Sequence, residues 1–164
     1  MPLYYTYTAD SNQDDSNQDD SNLTPNTMPV PVHVHVPIVL GRNANENIEI
    51  IKSSDPSWVW LHLDTVPSGH IVIQTSDINL SDISHLTTSS IISYAANLCL
   101  HNTSTKKQQK ALYWKNNKQV FNIICTKISN IITDLPNMQP GEVEFISTSR
   151  RKLITLTCDF KNDI

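Results

Sequence analysis

The sequence predicts an α+β fold, in which a mixed, largely antiparallel sheet has one main helix packed on it. Short strand-like apolar runs lie on both sides of one longer segment with helical spacing, and Pro and Gly mark turns between the runs. The chain has 164 residues, of which 38% are apolar, enough for one hydrophobic core and too few for two. We therefore expect one folded domain.

The first quarter of the chain differs in composition from the rest. Residues 1–8 are predicted to form a strand, residues 9–36 a disordered insert and residues 37–160 the folded domain. The insert holds the acidic repeat SNQDD-SNQDD and a run rich in Asn, Thr and Pro, which buries too little apolar surface to offset the entropy of ordering. Its last part, VPVHVHVP (residues 30–37), is either a linker or a frayed strand, and its prolines limit any pairing to a sheet edge.

The first half of the folded part contains one short helical pattern and one hairpin pattern. The apolar run PIVLG ends at Gly41, and NENIEIIK (residues 45–52) has the spacing of a helical turn. The runs WVWLHL (residues 58–63) and HIVIQT (residues 70–75) are typical strands, and DTVPSG between them is typical of a turn. They predict an antiparallel pair.

The second half contains the main helix and three further strands. The helix is predicted over residues 79–101, where Ser81 can cap its start. A lysine-rich loop and the strand QVFNIICT (residues 119–126) follow. The runs EVEFIS (residues 142–147) and KLITLT (residues 152–157), separated by STSRR, are predicted to form a hairpin.

Cysteine use and targeting patterns favour a cytoplasmic protein. Cys99, Cys125 and Cys158 are odd in number and lack the spacing of a metal site, which fits a reducing compartment. The start of the chain lacks the basic and apolar regions of a signal peptide, and no apolar stretch is long enough to span a membrane. We expect a soluble intracellular protein without a membrane partner.

Motifs for catalysis are missing from the sequence. It contains no G-x-S-x-G, no HExxH and no Walker A loop, and its three glycines stand alone. We therefore predict that the protein is not an enzyme and has neither a cofactor nor a metal site.

Histidines are the main exception to that prediction. His62, Asp64 and His70 come close together in the predicted hairpin, so a metal-dependent enzyme remains a third hypothesis. A half-buried histidine that bonds to backbone is the commoner arrangement. His33 and His35 lie in the Pro-rich stretch and are interpreted as part of an inert linker.

The charge is distributed unevenly along the chain. Five of the sixteen acidic residues precede residue 38 and all twelve Lys and Arg follow it, so the net charge of −4 hides a balance of +1 in the remainder. No Asp or Glu occurs in residues 83–133, which carry six lysines. Within them, KKQQKALYWKNNK (residues 106–118) interleaves five lysines with Tyr113 and Trp114. Lysines neutralise phosphates and aromatic rings stack on unpaired bases, so the segment predicts nucleic-acid binding, with a solvated loop whose aromatic rings pack inward as the alternative.

Four stretches, taken in order, resemble the NFACT-R family, also called DUF814. They are GRNANEN (residues 41–47), WVWLHLDTVPSGHIVI (residues 58–73), SYAANLCLHN (residues 93–102) and NMQPGEVEF (residues 137–145). The residues that match the family pattern are Trp60, Leu61, His62, Ser68, Gly69, His70, Pro140, Gly141 and Val143. The opening MPLYYTY is similar to the start of the small stand-alone eukaryotic members, of the coiled-coil domain-containing protein 25 type.

The resemblance implies binding of nucleic acid or of the ribosome without catalysis, linked to translation quality control. RNA, either tRNA or ribosomal RNA, is the expected partner, with DNA as an alternative; a module that docks on the ribosome or a partner protein through the hairpin is the second hypothesis. Trp58 stands where the family usually has an acidic residue, and Ile131 and Ile132 stand where it has a Lys pair. We expect phosphate contacts from Arg42, Lys106, Lys107, Lys110, Lys115 and Lys118, with Trp60, His62 and His70 lining the site.

Overall fold

The computed structural model describes residues 1–10, 33–81 and 90–158. These residues form the predicted α+β fold, and every strand pair among them is antiparallel. The strands are β1 (Leu3–Asp10), β2 (His33–Leu40), β3 (Val59–Leu63), β4 (Ile71–Ile73), β5 (Tyr113–Lys115), β6 (Lys118–Lys127), β7 (Ile131–Ile132), β8 (Glu144–Phe145) and β9 (Lys152–Thr157). The helices are α1 (Ala44–Lys52), α2 (Ser90–His101) and α3 (Thr105–Ala111).

Seven strands form one sheet whose central part is β2, β4, β3 and β6 in that order. β1 pairs with the outer edge of β2. β6 is long enough to pair with β9 along one edge, while β3 and β5 lie end to end along its other edge. β7 and β8 form a separate two-stranded sheet.

Each face of the sheet carries an apolar cluster, because successive side chains along a strand point to opposite faces. One face packs against α2 in the main core, whose largest members include Leu61, Ile71 and Phe121. The other face carries a second cluster, in which α1 and the β7–β8 region cover Trp60 and its neighbours. The sequence predicted the α2 layer but not this second one, because α1 is short and only Ile50 and Ile51 are its buried apolar residues.

β2 spans His33–Leu40, so residues 33–37 of the stretch that was open as a linker or a frayed strand belong to a strand. It pairs with β1 over eight residues, from Leu3 opposite Leu40 to Asp10 opposite His33, whereas only residues 38–40 also have partners in β4. Pro37 has no N–H to donate, but its carbonyl accepts from the Gln74 N–H. Gln74 follows the last residue of β4, so the hydrogen bond that Pro37 cannot make lies at the end of the β2–β4 ladder, where its loss is tolerated. Ala9 and Asp10, the first two residues of the predicted insert, belong to β1, and residues 11–32 lie outside the described residues.

The predicted main helix is confirmed over part of its length. α2 is described from Ser90 to His101, whereas residues 80–81 form a turn, with the Ser81 N–H donating to Asn79 Oδ1 at 3.0 Å. Residues 82–89, which would contain the partners of a Ser81 cap, lie outside the described part of the chain.

The predicted β3–β4 hairpin is confirmed, with Trp60 opposite Val72, but the second predicted hairpin is wrong. β8 pairs with β7, and β9 pairs with β6. Asn130 fixes the chain between β8 and β9. Its Oδ1 accepts from the Ser147 N–H and its Nδ2 donates to the Ser147 carbonyl, both at 2.9 Å. The chain is therefore held at Ser147 and crosses to the main sheet through a 3-10 turn at Thr148–Arg150.

The lysine-rich segment is not a loop. Its first part forms α3, and its second part forms a tight hairpin of β5 and β6. Asn116 and Asn117 make the two-residue turn with φ angles of 51° and 60°, a conformation that asparagine adopts more readily than most residues.

Candidate nucleic-acid interface

A cleft of about 940 Å³ lies on the α1 face of the sheet. Four segments that are far apart in the sequence line it, and each contains or adjoins one of the four family-like stretches. The lining consists of residues 42–44 and 47, residues 60, 62 and 64–70, residues 102–104 and 107, residues 139–145, and Ile124. The fold thus brings the four stretches together at one place.

The floor of the cleft is an aromatic cluster. His62 and His70 come opposite each other when the β3–β4 register is continued by one residue, and their ring centroids are 5.1 Å apart. Trp60 is parallel to His62 at 5.7 Å and edge-on to His70 at 5.2 Å, and Phe145 contacts the Trp60 ring from the β8 side at 5.8 Å. Trp60 and His70 are 1% and 3% exposed, so His62 is the more accessible of the two histidines.

Hydrogen bonds define the protonation state of His62. Its Nδ1 lies against the Leu63 carbonyl oxygen and must donate to it, while its Nε2 accepts from the Ser68 N–H at 3.4 Å. Both ring nitrogens are therefore occupied in the neutral Nδ1–H tautomer. Burial lowers the pKa of His62, although its bonds to Leu63 and Ser68 and the charge of Asp64 partly oppose that effect.

His70 is held by its backbone, not by its ring. Its N–H donates to Asn47 Oδ1 at 3.0 Å, and its carbonyl accepts from the Gly41 N–H at 2.9 Å. Burial, with a smaller contribution from the charge of His62, lowers the pKa of His70 to about 3. The Nδ1 of His70 and the Nε1 of Trp60 have no hydrogen-bond partner among the described residues.

Close backbone contact holds these elements at the cleft. The Gly69 backbone lies so near the Gly41 carbonyl that a Cβ on Gly69 would collide with it, and a Cβ on Gly41 would lie 2.5 Å from Asn47 Oδ1. On the opposite wall, Gly141 has a φ of 86°, and its missing Cβ would be 3.0 Å from the Cβ of Ala44. The glycines of the family-like stretches therefore serve close packing of the cleft walls.

Arg42 lies at the edge of the cleft but is already paired. Its Nη2 is 3.1 Å from Glu46 Oε1, its Nε donates to Glu46 Oε2 at 3.3 Å, and the N-terminal amine of Met1 also contacts Glu46 at 2.7 Å. Hydrogen bonds from Arg42 and from that amine lower the pKa of Glu46 to about 2. Arg42 therefore offers a partly neutralised charge, and Lys107 is the other lysine or arginine on the lining.

The hypothetical metal site at His62, Asp64 and His70 is not formed. Within residues 1–10, 33–81 and 90–158, no group of three or more His, Cys, Asp or Glu side chains can hold a metal ion. Both nitrogens of His62 are engaged by backbone groups, and ligation would need one of them. Burial raises the pKa of Cys99 to about 11 and that of Cys125 to about 12, so neither thiol is ionised at neutral pH.

A second surface, which we call the basic strip, carries the predicted lysines. It consists of Lys106, Lys107 and Lys110 on α3 and Lys115 and Lys118 on the β5–β6 hairpin. All five are exposed, and none forms an ion pair with another described residue. Trp114 is 73% exposed and Tyr113 39%, so the alternative in which these rings pack inward is not observed.

The cleft and the basic strip are continuous. Lys107 belongs to both. Ile124, opposite His62, and Asn122 lie on the same face of β6, and Asn122 Oδ1 accepts from the Tyr113 hydroxyl at 2.8 Å. Lys118 is six residues from Ile124 on the same face of β6, which at about 3.3 Å per residue puts it about 20 Å from Ile124.

The structure divides the predicted site residues into two groups. Arg42, Trp60, His62, His70 and Lys107 meet at the cleft, whereas Lys106, Lys110, Lys115 and Lys118 lie along the strip outside it. Sequence reasoning missed Asn47, Asn102 and Phe145 as cleft residues, although each belongs to a family-like stretch. Of the three residues that depart from the family pattern, Trp58 and Ile131 pack against the second cluster, which contains Trp60.

Comparisons with known proteins show a similarity of fold. No protein-family model matches the chain, and no curated protein matches it. Among solved structures, it is similar to the C-terminal part of the fibronectin/fibrinogen-binding protein from Streptococcus suis, with a TM-score of 0.54 and 18% identity. The match covers 74% of this chain and 41% of that chain, and at this identity it shows a shared fold alone.

In the described part of the chain, no helix has both the length and the apolar character needed to cross a bilayer.

Proposed function

We propose that this protein is a non-catalytic module that binds RNA, either tRNA or ribosome-associated RNA, in the cytoplasm. The observation that carries the proposal is the exposed Trp114 on a hairpin whose neighbouring lysines are exposed and unopposed by acidic residues. Exposed lysines supply phosphate contacts, and an exposed ring offers a stacking surface for an unpaired base. The combination is typical of proteins that bind single-stranded segments.

The charge pattern supports the same proposal. The acid-free stretch of residues 83–133 contains all five lysines of the basic strip, so no acidic residue near them in sequence competes with phosphate. The resemblance to NFACT-R, which implies nucleic-acid or ribosome binding and a link to translation quality control, is a separate source of support because it rests on other residues.

Protein docking through the β3–β4 hairpin has less support. Both strands lie inside the sheet, β3 between β4 and β6 and β4 between β2 and β3, so their edges are already paired. The turn between them, residues 64–69, borders the cleft together with Trp60, His62 and His70, so a partner would have to dock at the turn and the cleft floor. DNA binding through the basic strip is the alternative that the experiment below also measures.

The test is a fluorescence-anisotropy titration with single-stranded RNA, tRNA and duplex DNA at two salt concentrations. We expect affinity for single-stranded RNA to fall with salt, and the double substitution Lys106→Ala with Lys110→Ala to reduce the slope of log K against log salt by about 1.4. The control removes two exposed charges elsewhere, with Lys52→Ala, whose amine is paired with Asp134 at 2.9 Å, and Arg150→Ala.

If the control variant reduced the salt slope as much as the strip variant does, only the overall charge of the protein would determine binding. Absence of binding to all three nucleic acids would contradict the proposal and leave protein docking as the function to pursue. If duplex DNA bound more tightly than either RNA, DNA and not RNA would be the proposed partner.

A further inference from the structure

We infer that the cleft is a pocket for one unpaired nucleobase, so that the protein recognises single-stranded RNA by a base in the cleft and by phosphates along the basic strip. This inference rests on the proposed function and adds the group that the cleft recognises. The cleft, about 940 Å³ in volume, falls within the range of small-molecule sites and is large enough for a planar base with its sugar.

The charges of the cleft exclude it as a site for a phosphate group. Asp64, Glu142 and Glu144 lie on its walls, and Arg42 is engaged by Glu46. His62 is neutral because both its nitrogens are bonded to backbone. An uncharged planar group fits this lining better than an anion does.

The floor has the surface that a base requires. His62 is partly exposed beside Ile124, its neighbour across the β3–β6 pair, and Trp60 lies parallel to the imidazole ring at an interplanar angle of 5°. A base that packs on His62 would thus extend an existing aromatic layer, and sequence-tolerant stacking of this kind is how many single-strand binders hold bases.

Two buried polar atoms give a second, independent indication of a ligand. Trp60 Nε1 can only donate a hydrogen bond and neutral His70 Nδ1 can accept one, and neither has a partner among the described residues. Buried polar groups are almost always paired in native proteins. Both residues line the cleft, and the edge of a nucleobase carries acceptors and donors side by side.

The remaining nucleotides would follow the surface that runs from the rim of the cleft to the β5–β6 hairpin. Lys107 lies at the rim of the cleft, and Tyr113, Lys115 and Lys118 share the β6 face that leads away from His62, because Tyr113 is opposite Val120 and Lys115 is opposite Lys118. A chain whose base occupies the cleft can therefore place its next phosphates on the basic strip.

The test compares a short single-stranded RNA with an abasic chain of the same length, which keeps every phosphate and lacks every base. The blocking variant is Ser104→Trp, because Ser104 is an exposed residue on the cleft lining and its side chain makes no capping hydrogen bond. Gln109→Trp, on the exposed side of the same helix and away from the lining, is the matched control.

We expect Ser104→Trp to weaken RNA binding about tenfold and to leave binding of the abasic chain unchanged. We expect Gln109→Trp to leave binding of both chains unchanged. The indole N–H resonance of Trp60, assigned with Trp58→Phe and Trp114→Phe variants, should shift with RNA and not with the abasic chain. The unchanged abasic affinity also shows that the variant is folded.

If Ser104→Trp alters neither affinity, while the Lys106 and Lys110 double variant weakens both, the cleft inference fails and the proposed function stands. Equal weakening of both chains by Ser104→Trp also overturns the inference, since the cleft would then act on phosphate. If the native protein binds neither chain, both proposals fail together.

Discussion

His62 and His70 face each other across β3 and β4 with their ring centroids 5.1 Å apart, and both are kept neutral by the fold. Two imidazolium ions at this separation would repel each other in a partly buried site. The pair therefore belongs to the uncharged floor of the cleft, and acidification should act against the folded state.

The first prediction concerns pH. The pKa of His70 is about 3 in the folded protein against an ordinary value of 6.5, so between these values the unfolded chain binds more protons than the folded one. Stability should therefore fall as the pH drops below about 6.5 and continue to fall toward pH 3. From His70 alone we expect the free energy of unfolding to be about 2 kcal/mol lower at pH 5 than at pH 7.

Urea unfolding at pH 7, 6 and 5 measures this effect. The substitution His70→Phe keeps an aromatic ring and removes the ionisable group, so the pH dependence of the variant should be shallower. Because the pKa of His62 is lowered as well, some dependence should remain. Equal pH dependence in the native and variant proteins would mean that His70 becomes protonated without cost.

The second prediction concerns Trp114. Its side chain is 73% exposed, so Trp114→Ala should leave the free energy of unfolding nearly unchanged. Loss of a stacked base should weaken binding of single-stranded RNA by about 1–3 kcal/mol and affect duplex DNA much less. The same anisotropy titration checks both effects.

Tyr4→Ala is the matched control for Trp114→Ala, because Tyr4 is 70% exposed on β1, at the other end of the sheet from the hairpin. It removes an exposed ring without touching the basic strip. A similar loss of RNA affinity in both variants would show that exposed rings contribute non-specifically.

The third prediction concerns Asn130, which is 1% exposed. Its amide holds both backbone groups of Ser147 and also donates to Thr126 Oγ1 at 3.0 Å. The substitution Asn130→Ala leaves these buried groups unsatisfied, which should lower the free energy of unfolding by about 2–4 kcal/mol. Chemical denaturation measures it, with Asn45→Ala on the exposed side of α1 as a control that should change stability by less than about 0.5 kcal/mol.

Asn130 also explains the main failure of the sequence analysis. The runs at residues 142–147 and 152–157 are close in sequence and separated by polar residues, which favours a hairpin. The first run contains β8, which pairs with β7, and the second forms β9, which pairs with β6. The buried Asn130 amide holds this arrangement by binding Ser147, 17 residues away, and no local pattern contains that contact. By contrast, the β3–β4 hairpin was predicted correctly because its turn residues and its alternating strands are adjacent.

The candidate site was predicted in part for the same reason. Arg42, Trp60, His62, His70 and Lys107 were each selected from local motifs or charge, and they do lie at one cleft. The sequence could not show that Arg42 is bound to Glu46 or that Trp60 is buried beneath Phe145, because both depend on how α1 and β8 cover the sheet. Burial and pairing decide which of these side chains can contact a ligand.

The last prediction separates Arg42 from Lys107, both of which were expected to contact phosphate. Arg42 already donates two side-chain hydrogen bonds to Glu46, so a phosphate would have to replace that carboxylate, whereas Lys107 is exposed and forms no ion pair with another described residue. The substitution Lys107→Ala should therefore reduce the salt slope of RNA binding by about 0.7, and Arg42→Ala should reduce it by clearly less. Glu46→Gln, which weakens the hold on Arg42, should increase the effect of a subsequent Arg42→Ala substitution. Titrations at four salt concentrations give the slopes, and a larger loss for Arg42→Ala than for Lys107→Ala would place phosphate at the α1 end of the cleft and contradict this account.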